Sequence, residues 1–464
     1  MANYKTVYPY IPNSEPNIKN QMLKEVNANS INELFADIPA QLRFKGQMNL
    51  PVPFVSEYGL RRHIEKILGK NKTTKQFLNF LGAGCYQHYV PAVCDEINSR
   101  GEFLTAYAGE PYDDHGRFQS LFEYTSMMAE LLEMDVVNVP TYDGFQAAST
   151  ALRMACRITG RNKVLLPETL GGDLLSKIRD YLKPDIKICM IRHDPVTGGM
   201  DLQHLEEAIK GDCAAVFFEN PSFLGFLELK GAEIAEIAHQ QGAVCIVSMD
   251  PISLGVLEPP VNYGADLVVG DIQPLGMHMQ YGGGQAGFIA SRDEEKYVMQ
   301  YPSRLFGIVP TRVEGEYGFG DVAYDRTSFA RREEGNEWVG TAAALWGITA
   351  GVYLALMGPQ GMKEIGEGIL YRSQYAKQEI GKIANVSAGV FQAPQFKEFI
   401  VNFDKTGKTV ANINARLLEK GIFGGKDLSR EFPWLGESAL YCFTEVHTKD
   451  DIDQLVSTLK EVVA

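Results

Sequence analysis

Gly282, Gly284 and Gly287 spell GxGxxG inside GDIQPLGMHMQYGGGQAGFIA (270–290), directly after an apolar run that reads as a buried strand. A dinucleotide fingerprint must open a helix, so that the pyrophosphate rests on the helix N-terminus. FIAS follows instead and reads as a strand, which predicts a tight glycine turn and no nicotinamide or flavin site. A second cluster, FLGAGCYQHYVP (80–91) with GEFLTAYAGEP (101–111), gathers Tyr86, His88, Tyr89 and Tyr107 in glycine-bounded loops. Loops on a rigid scaffold commonly carry binding groups, so His88, Tyr89 and Tyr107 are candidates for a substrate channel, the alternative for His88 being a bridge between backbone groups. Arg326, Arg331 and Arg332 in YDRTSFARREE could grip an anion by bidentate hydrogen bonds or form a salt-bridged surface. His115 in EPYDDHGR reads as part of a solvated polar turn, with an acid-base or metal role as the other possibility. The seven cysteines, odd in number and without CxxC spacing, predict reduced core thiols and no metal site.

These groups need a scaffold. Residues 1–60 hold one helix signal, Ser30 before INELFADI with Glu33 as a capping box, and otherwise read as an arm lying across another surface. Over 61–335, short apolar runs alternate with amphipathic helices, which predicts a large α/β domain with a parallel sheet. KVLLPE (163–168), IKICMIRHD (186–194), AAVFFEN (214–220), AVCIVSMD (243–250) and ADLVVGD (265–271) are the expected strands. From 336 to 464 a connecting helix, GTAAALWGITAGVYLALMG, leads into a smaller α/β domain with strand-like FKEFIVNF and ALYCFTEV.

Forty-four basic against fifty-eight acidic residues give a net charge of −14, which argues against non-specific attraction to nucleic acid or anionic lipid. No stretch approaches the roughly 18 apolar residues of a membrane span, and MANYKTVYPYIPNSEP lacks a secretory pattern. A cytoplasmic protein is the expectation.

A large parallel-sheet domain followed by a smaller α/β domain suits pyridoxal-phosphate enzymes of fold type I, the aspartate aminotransferase-like fold. Those enzymes need a strand-end carboxylate for the pyridine nitrogen, a phosphate cup at a helix N-terminus, and a lysine for the Schiff base. Asp250 is the carboxylate candidate, or a turn cap; TYDGFQAAS (141–149), with Asp143, Gly144 and Ser149, is the cup candidate. The lysine is missing: none occurs between Lys230 and Lys296, and Gln273 or Pro274 stands at the expected place. Neither can form a Schiff base.

SINELFADIPAQLR, FLGAGCYQHYVPAV, LFEYTSMMAELLEMDV, TYDG, ENPSFLG through VSMDPISLGVLEPPVNYGADLVVGDIQPLG, GVYLALMGPQG, LLEKGIFGGKDLSREFP and CFTEVHTKDDID resemble the glycine dehydrogenase (decarboxylating) family, along nearly the whole chain. Within it they are similar to subunit 1, the alpha half of the split P protein of the glycine cleavage system. The resemblance implies an α2β2 assembly in which a homologous beta subunit holds the pyridoxal phosphate and its lysine, while the alpha subunit has QPLG at that loop, here Gln273 to Gly276. It implies an oxidoreductase acting on glycine: carbon dioxide leaves, and the aminomethyl group passes to the oxidised lipoyl disulfide of H protein. The chain alone should be inactive and hold no cofactor covalently, with Asp250 a relic of the pyridine-binding carboxylate. Three segments depart from the family pattern: EPYDDHG at 110–116, Phe145 and Gln146, and EEGNEWVGT at 333–341. They leave open a paralogue acting on another small amino acid or acceptor, or a non-catalytic regulatory subunit. The lysine gap disfavours a complete pyridoxal-phosphate enzyme.

Overall fold

The computed structural model describes residues 7–104, 115–303, 305–322, 324–328, 331, 333, 335–336 and 343–464. The chain forms two compact units, Met1–Asn71 and Lys72–Ala464.

In the first unit, helices Pro16–Glu25 and Glu57–Leu68 flank a short 3-10 turn, Ile31–Phe35, and no described residue is buried. The capping box expected at Ser30 does not form. Glu33 reaches past it to accept from the Asn29 N–H at 3.0 Å, and Ser30 makes no side-chain cap. Without that reciprocal cap, five residues of 3-10 turn replace the expected helix.

The second unit is built on a seven-stranded sheet. Strands β1 (Val136–Val137), β2 (Lys163–Pro167), β3 (Lys187–Ile191), β4 (Cys213–Glu219), β5 (Val244–Met249), β6 (Leu267–Asp271) and β7 (Gly287–Ser291) lie in the order β1-β7-β6-β5-β4-β2-β3. β3, β2, β4, β5 and β6 are mutually parallel, whereas β7 runs antiparallel to both β6 and β1. The parallel sheet read from the apolar runs is therefore present, with the FIAS strand added antiparallel between β6 and the short edge strand β1. β4 shows why these strands read as unbroken apolar runs: Val216 and Phe218 pack into one core, Ala215 and Phe217 into the core on the opposite face. Burying each such phenylalanine contributes roughly 1.5–3 kcal/mol.

Helix Gly144–Thr159 starts at Asp143, whose carboxylate accepts from the Gln146 N–H at 2.7 Å, and stops at Gly160 in the left-handed region. The apolar connecting segment becomes the first half of a long helix, Ala344–Ile380, interrupted at Gly358 just before Pro359. Among the described residues no helix is long and apolar enough to cross a membrane. A four-stranded antiparallel sheet follows, of β8 (Ser387–Ala388), β9 (Glu398–Asn402), β10 (Lys426–Asp427) and β11 (Ser438–Cys442), in the order β8-β9-β11-β10. Helices Val410–Glu419 and Lys449–Val463 share a core with it. Leu78–Asn79 pairs in parallel with Ile422–Phe423, which anchors the start of the glycine-bounded loop that follows.

Candidate functional site

Ligands of open α/β sheets bind outside the carboxyl ends of the strands. At that edge, β4, β5 and β6 end in Glu219, Asp250 and Asp271, around a cleft of about 130 Å³ whose walls include Tyr86, Phe145 and Lys397. Three acids crowd one end of the sheet, and each is answered differently.

Asp250 caps a turn, one of the two readings given for it, and also meets a lysine that neither reading foresaw. One carboxylate oxygen caps the next turn by accepting from the Ile252 N–H at 3.0 Å; the other lies 2.5 Å from Lys397 Nζ. Both side chains are buried, 11% and 4% exposed respectively. The Lys397 ammonium also sits 3.1 Å from the centroid of the Tyr86 ring and 3.5 Å from His88 Nε2. His88 Nδ1 lies 2.8 Å from Glu445, which also accepts from the Tyr89 N–H at 2.7 Å. Burial opposes ionisation of Glu445, but the His88 ring and the Tyr89 N–H outweigh it and hold the carboxyl down at about 2. Glu398, beside Lys397 in sequence, accepts from the Tyr86 hydroxyl at 3.0 Å and the Ala83 N–H at 2.7 Å. Burial pushes its carboxyl above the usual range, with Lys397 acting against the shift.

Asp271 takes the place of an anion at the helix N-terminus. It accepts from the N–H groups of Gly144 (2.9 Å), Gln273 (2.9 Å) and Ala286 (3.2 Å), yet burial still raises its carboxyl to about 7. Glu219 is pushed up to about 7 by burial, against one hydrogen bond from the Phe223 N–H at 3.1 Å.

Gln273 is fully buried. Its amide donates to the carbonyls of Tyr86 (2.9 Å) and Met277 (3.0 Å), and its oxygen accepts from the Tyr86 N–H at 3.0 Å. Of the two residues at the expected lysine place, Gln273 is thus a clamp on the loop at Tyr86, while Pro274 lines the cleft. The glycines beyond it serve close backbone approach. A Cβ on Gly287 would stand 2.1 Å from the Asp143 carbonyl oxygen, and one on Gly284 2.3 Å from that of His278. Gly282 has φ +91°, and the strand read from FIAS follows the glycines where a dinucleotide fingerprint would open a helix. His278 is paired with Asp95 at 3.0 Å.

Of the predicted site residues, His88 and Tyr89 meet at Glu445 just behind the cleft wall, His88 buried against Lys397 and Tyr89 66% exposed, and neither lines the cleft itself. Arg326 pairs with Asp293 beside a different cavity, lined by Phe122, Asp135 and Phe306. Arg331 is exposed, and neither arginine lines the cleft. Tyr107, Arg332, residues 110–114 of the EPYDDHG departure and most of the 333–341 departure lie outside the described residues; a helix begins at His115. No group of three metal-ligating side chains occurs among the described residues. Sequence reading missed Lys397, Glu398 and Glu445. The adjacent charges of Lys397 and Glu398 inside the apolar FKEFIVNF are the signal that could have found two of them.

Pyridoxal phosphate does not fit this cleft. Gln273, held in hydrogen bonds, and Pro274 stand at the expected lysine place and neither can form a Schiff base, the candidate carboxylate for the ring nitrogen is already paired, and Asp271 meets the helix N-terminus where a phosphate would need positive potential.

The family model described as glycine cleavage system P-protein matches residues 9–459. A probable glycine dehydrogenase (decarboxylating) subunit 1 of Staphylothermus marinus is 40% identical over 464 residues, covering 98% of each chain. Its counterpart in Pyrococcus abyssi is 39% identical, over 98% of this chain and 99% of that one. A crystal structure of glycine decarboxylase (P-protein) of the glycine cleavage system, in inhibitor-bound form, superposes with TM-score 0.84 at 31% identity, over 98% of this chain and 100% of that one. A sphingosine-1-phosphate lyase of Burkholderia pseudomallei, at TM-score 0.65 and 14% identity over 92% of this chain and 94% of that one, shares the fold alone. The fold is that of fold type I pyridoxal-phosphate enzymes, and the chain belongs to the glycine cleavage system P-protein family.

Proposed function

We propose that this chain is the lysine-free subunit of a glycine decarboxylase, active only with a homologous second subunit that carries pyridoxal phosphate. Support comes first from the cleft itself, where Gln273 or Pro274 stands at the lysine's place and Asp250 is paired with Lys397, in a chain that matches its relatives over 98% of its length. The relatives' designation as subunit 1 agrees with a split P protein. In this reading an α2β2 assembly in the cytoplasm decarboxylates glycine and passes the aminomethyl group to the lipoyl arm of H protein. The chain's own part is to bind and orient: Gln273, His88 and Glu445 fix the loop that presents Tyr89, which together with Tyr107, Arg326 and Arg331 contacts the partner-held substrate.

Co-expression with a lysine-bearing homologous subunit, followed by a glycine–bicarbonate exchange assay with H protein, tests the proposal. Exchange should be absent with either subunit alone and present with both. A tight complex without exchange would sink glycine as the substrate.

A further inference from the structure

The arrangement around Asp250 goes further than the loss of a cofactor. A strand-end carboxylate, an aromatic ring and an imidazole surround one point in the cleft, and a cation already stands there. We propose that Asp250, Tyr86 and His88 form a receptor for a primary ammonium group and that the chain fills it itself with Lys397, so that the cleft is held assembled by an internal ligand. This inference stands apart from the choice of glycine as substrate.

An ammonium carries three N–H donors and no acceptor. Three groups stand around Lys397 Nζ: Asp250 Oδ2 at 2.5 Å, an ion pair without hydrogen-bond geometry, the face of Tyr86 at 3.1 Å from its centroid, and His88 Nε2 at 3.5 Å. His88 turns Nδ1 to Glu445 at 2.8 Å, so Nε2 is the ring nitrogen that faces the ammonium. Cation–π and carboxylate contacts are strengthened where water is excluded, and Lys397 is among the most buried charged residues, at 3% exposure. It reaches Asp250 from the far side of the cleft, since it immediately precedes β9 of the small sheet while Asp250 follows β5 of the large one. The pair therefore ties together two parts of the fold, the large sheet and the small one.

Truncating Lys397 to alanine removes three carbons and the nitrogen, the atoms of propylammonium. The full-length K397A chain should melt about 3–5 °C below wild type, because an unpaired carboxylate is left buried. Tens of millimolar propylammonium chloride should recover most of the loss. Tetramethylammonium and sodium at equal ionic strength should not, since neither donates a hydrogen bond. The D250N/K397A double variant should melt above K397A and ignore propylammonium. K397A that melts like wild type, a folded K397A indifferent to propylammonium, or a double variant that responds as strongly as the single one would overturn the proposal. If K397A does not fold, refolding in the presence of propylammonium or through the added D250N change supports it, and failure of both overturns it.

Discussion

Glu219→Gln should stabilise the protein, but only on the alkaline side. Glu219 closes β4 with its carboxylate toward the cleft, one hydrogen bond from Phe223 and the charge of Glu398 as an additional burden; burial lifts it from 4.5 to about 7. The folded chain therefore keeps a proton that the unfolded chain has already released between these two values. Bound protons in the native state mean that stability falls as pH rises through that window, and the full loss is present above about 7. Multiplying the shift by about 1.36 kcal/mol per unit gives roughly 3 kcal/mol, an upper figure because the carboxylate is partly open to the cleft. Glutamine keeps the acceptor for the Phe223 N–H and cannot ionise. At about 2.1 cal/mol/K per residue, 464 residues give an unfolding entropy near 1 kcal/mol/K, so the gain at pH 8 is up to about 3 °C in Tm. At pH 5 the variant and wild type should coincide within about 1 °C. Calorimetric melts from pH 5 to 8.5 read the difference directly. A constant offset at every pH, or a variant less stable at pH 8, would refute a raised Glu219.

The opposite slope is expected of Glu445→Gln. A carboxyl held at about 2 contributes stability that is present above the unfolded value and lost as pH falls toward 2, so this variant should be weaker by about 2–3 kcal/mol in urea at pH 7, the gap narrowing by pH 3. Gln273→Lys exchanges three buried hydrogen bonds for a buried ammonium; it should lose about 3 kcal/mol or more and show no pyridoxyl group at position 273 after borohydride reduction and peptide mass analysis. Gly287→Ala drives a Cβ against the Asp143 carbonyl and the Thr141 hydroxyl and should lower Tm by at least about 2 °C, whereas Gly282→Ala, with open space around it, should lose only the roughly 1 kcal/mol of a left-handed backbone.

The strands and the missing lysine could be read from sequence because both are local facts. An apolar run such as AAVFFE announces a strand buried on two faces, and the gap between Lys230 and Lys296 is visible by inspection. The partnership of Asp250 with Lys397 is not local; 147 residues separate them, and only the packing of the two sheets brings them to 2.5 Å. His88 was recognised for its loop, yet its partner Glu445 lies 357 positions away. The arm's capping signal misled because Glu33 had a competing donor, Asn29, one residue upstream of the expected cap. Local pattern names the groups in such cases, and tertiary packing chooses their partners.

Gln273 has a consequence for how such a chain can drift through sequence space. Once the amide holds Tyr86 by its N–H and carbonyl and Met277 by its carbonyl, the position no longer tolerates the residue it lacks. A lysine placed there by one substitution would leave a chain without its loop clamp and with Asp250 still engaged by Lys397, so building a cofactor site in this cleft requires changes at both places. The two engagements lock one another in place: a change at Gln273 or at Lys397 alone loses contacts and supplies no site.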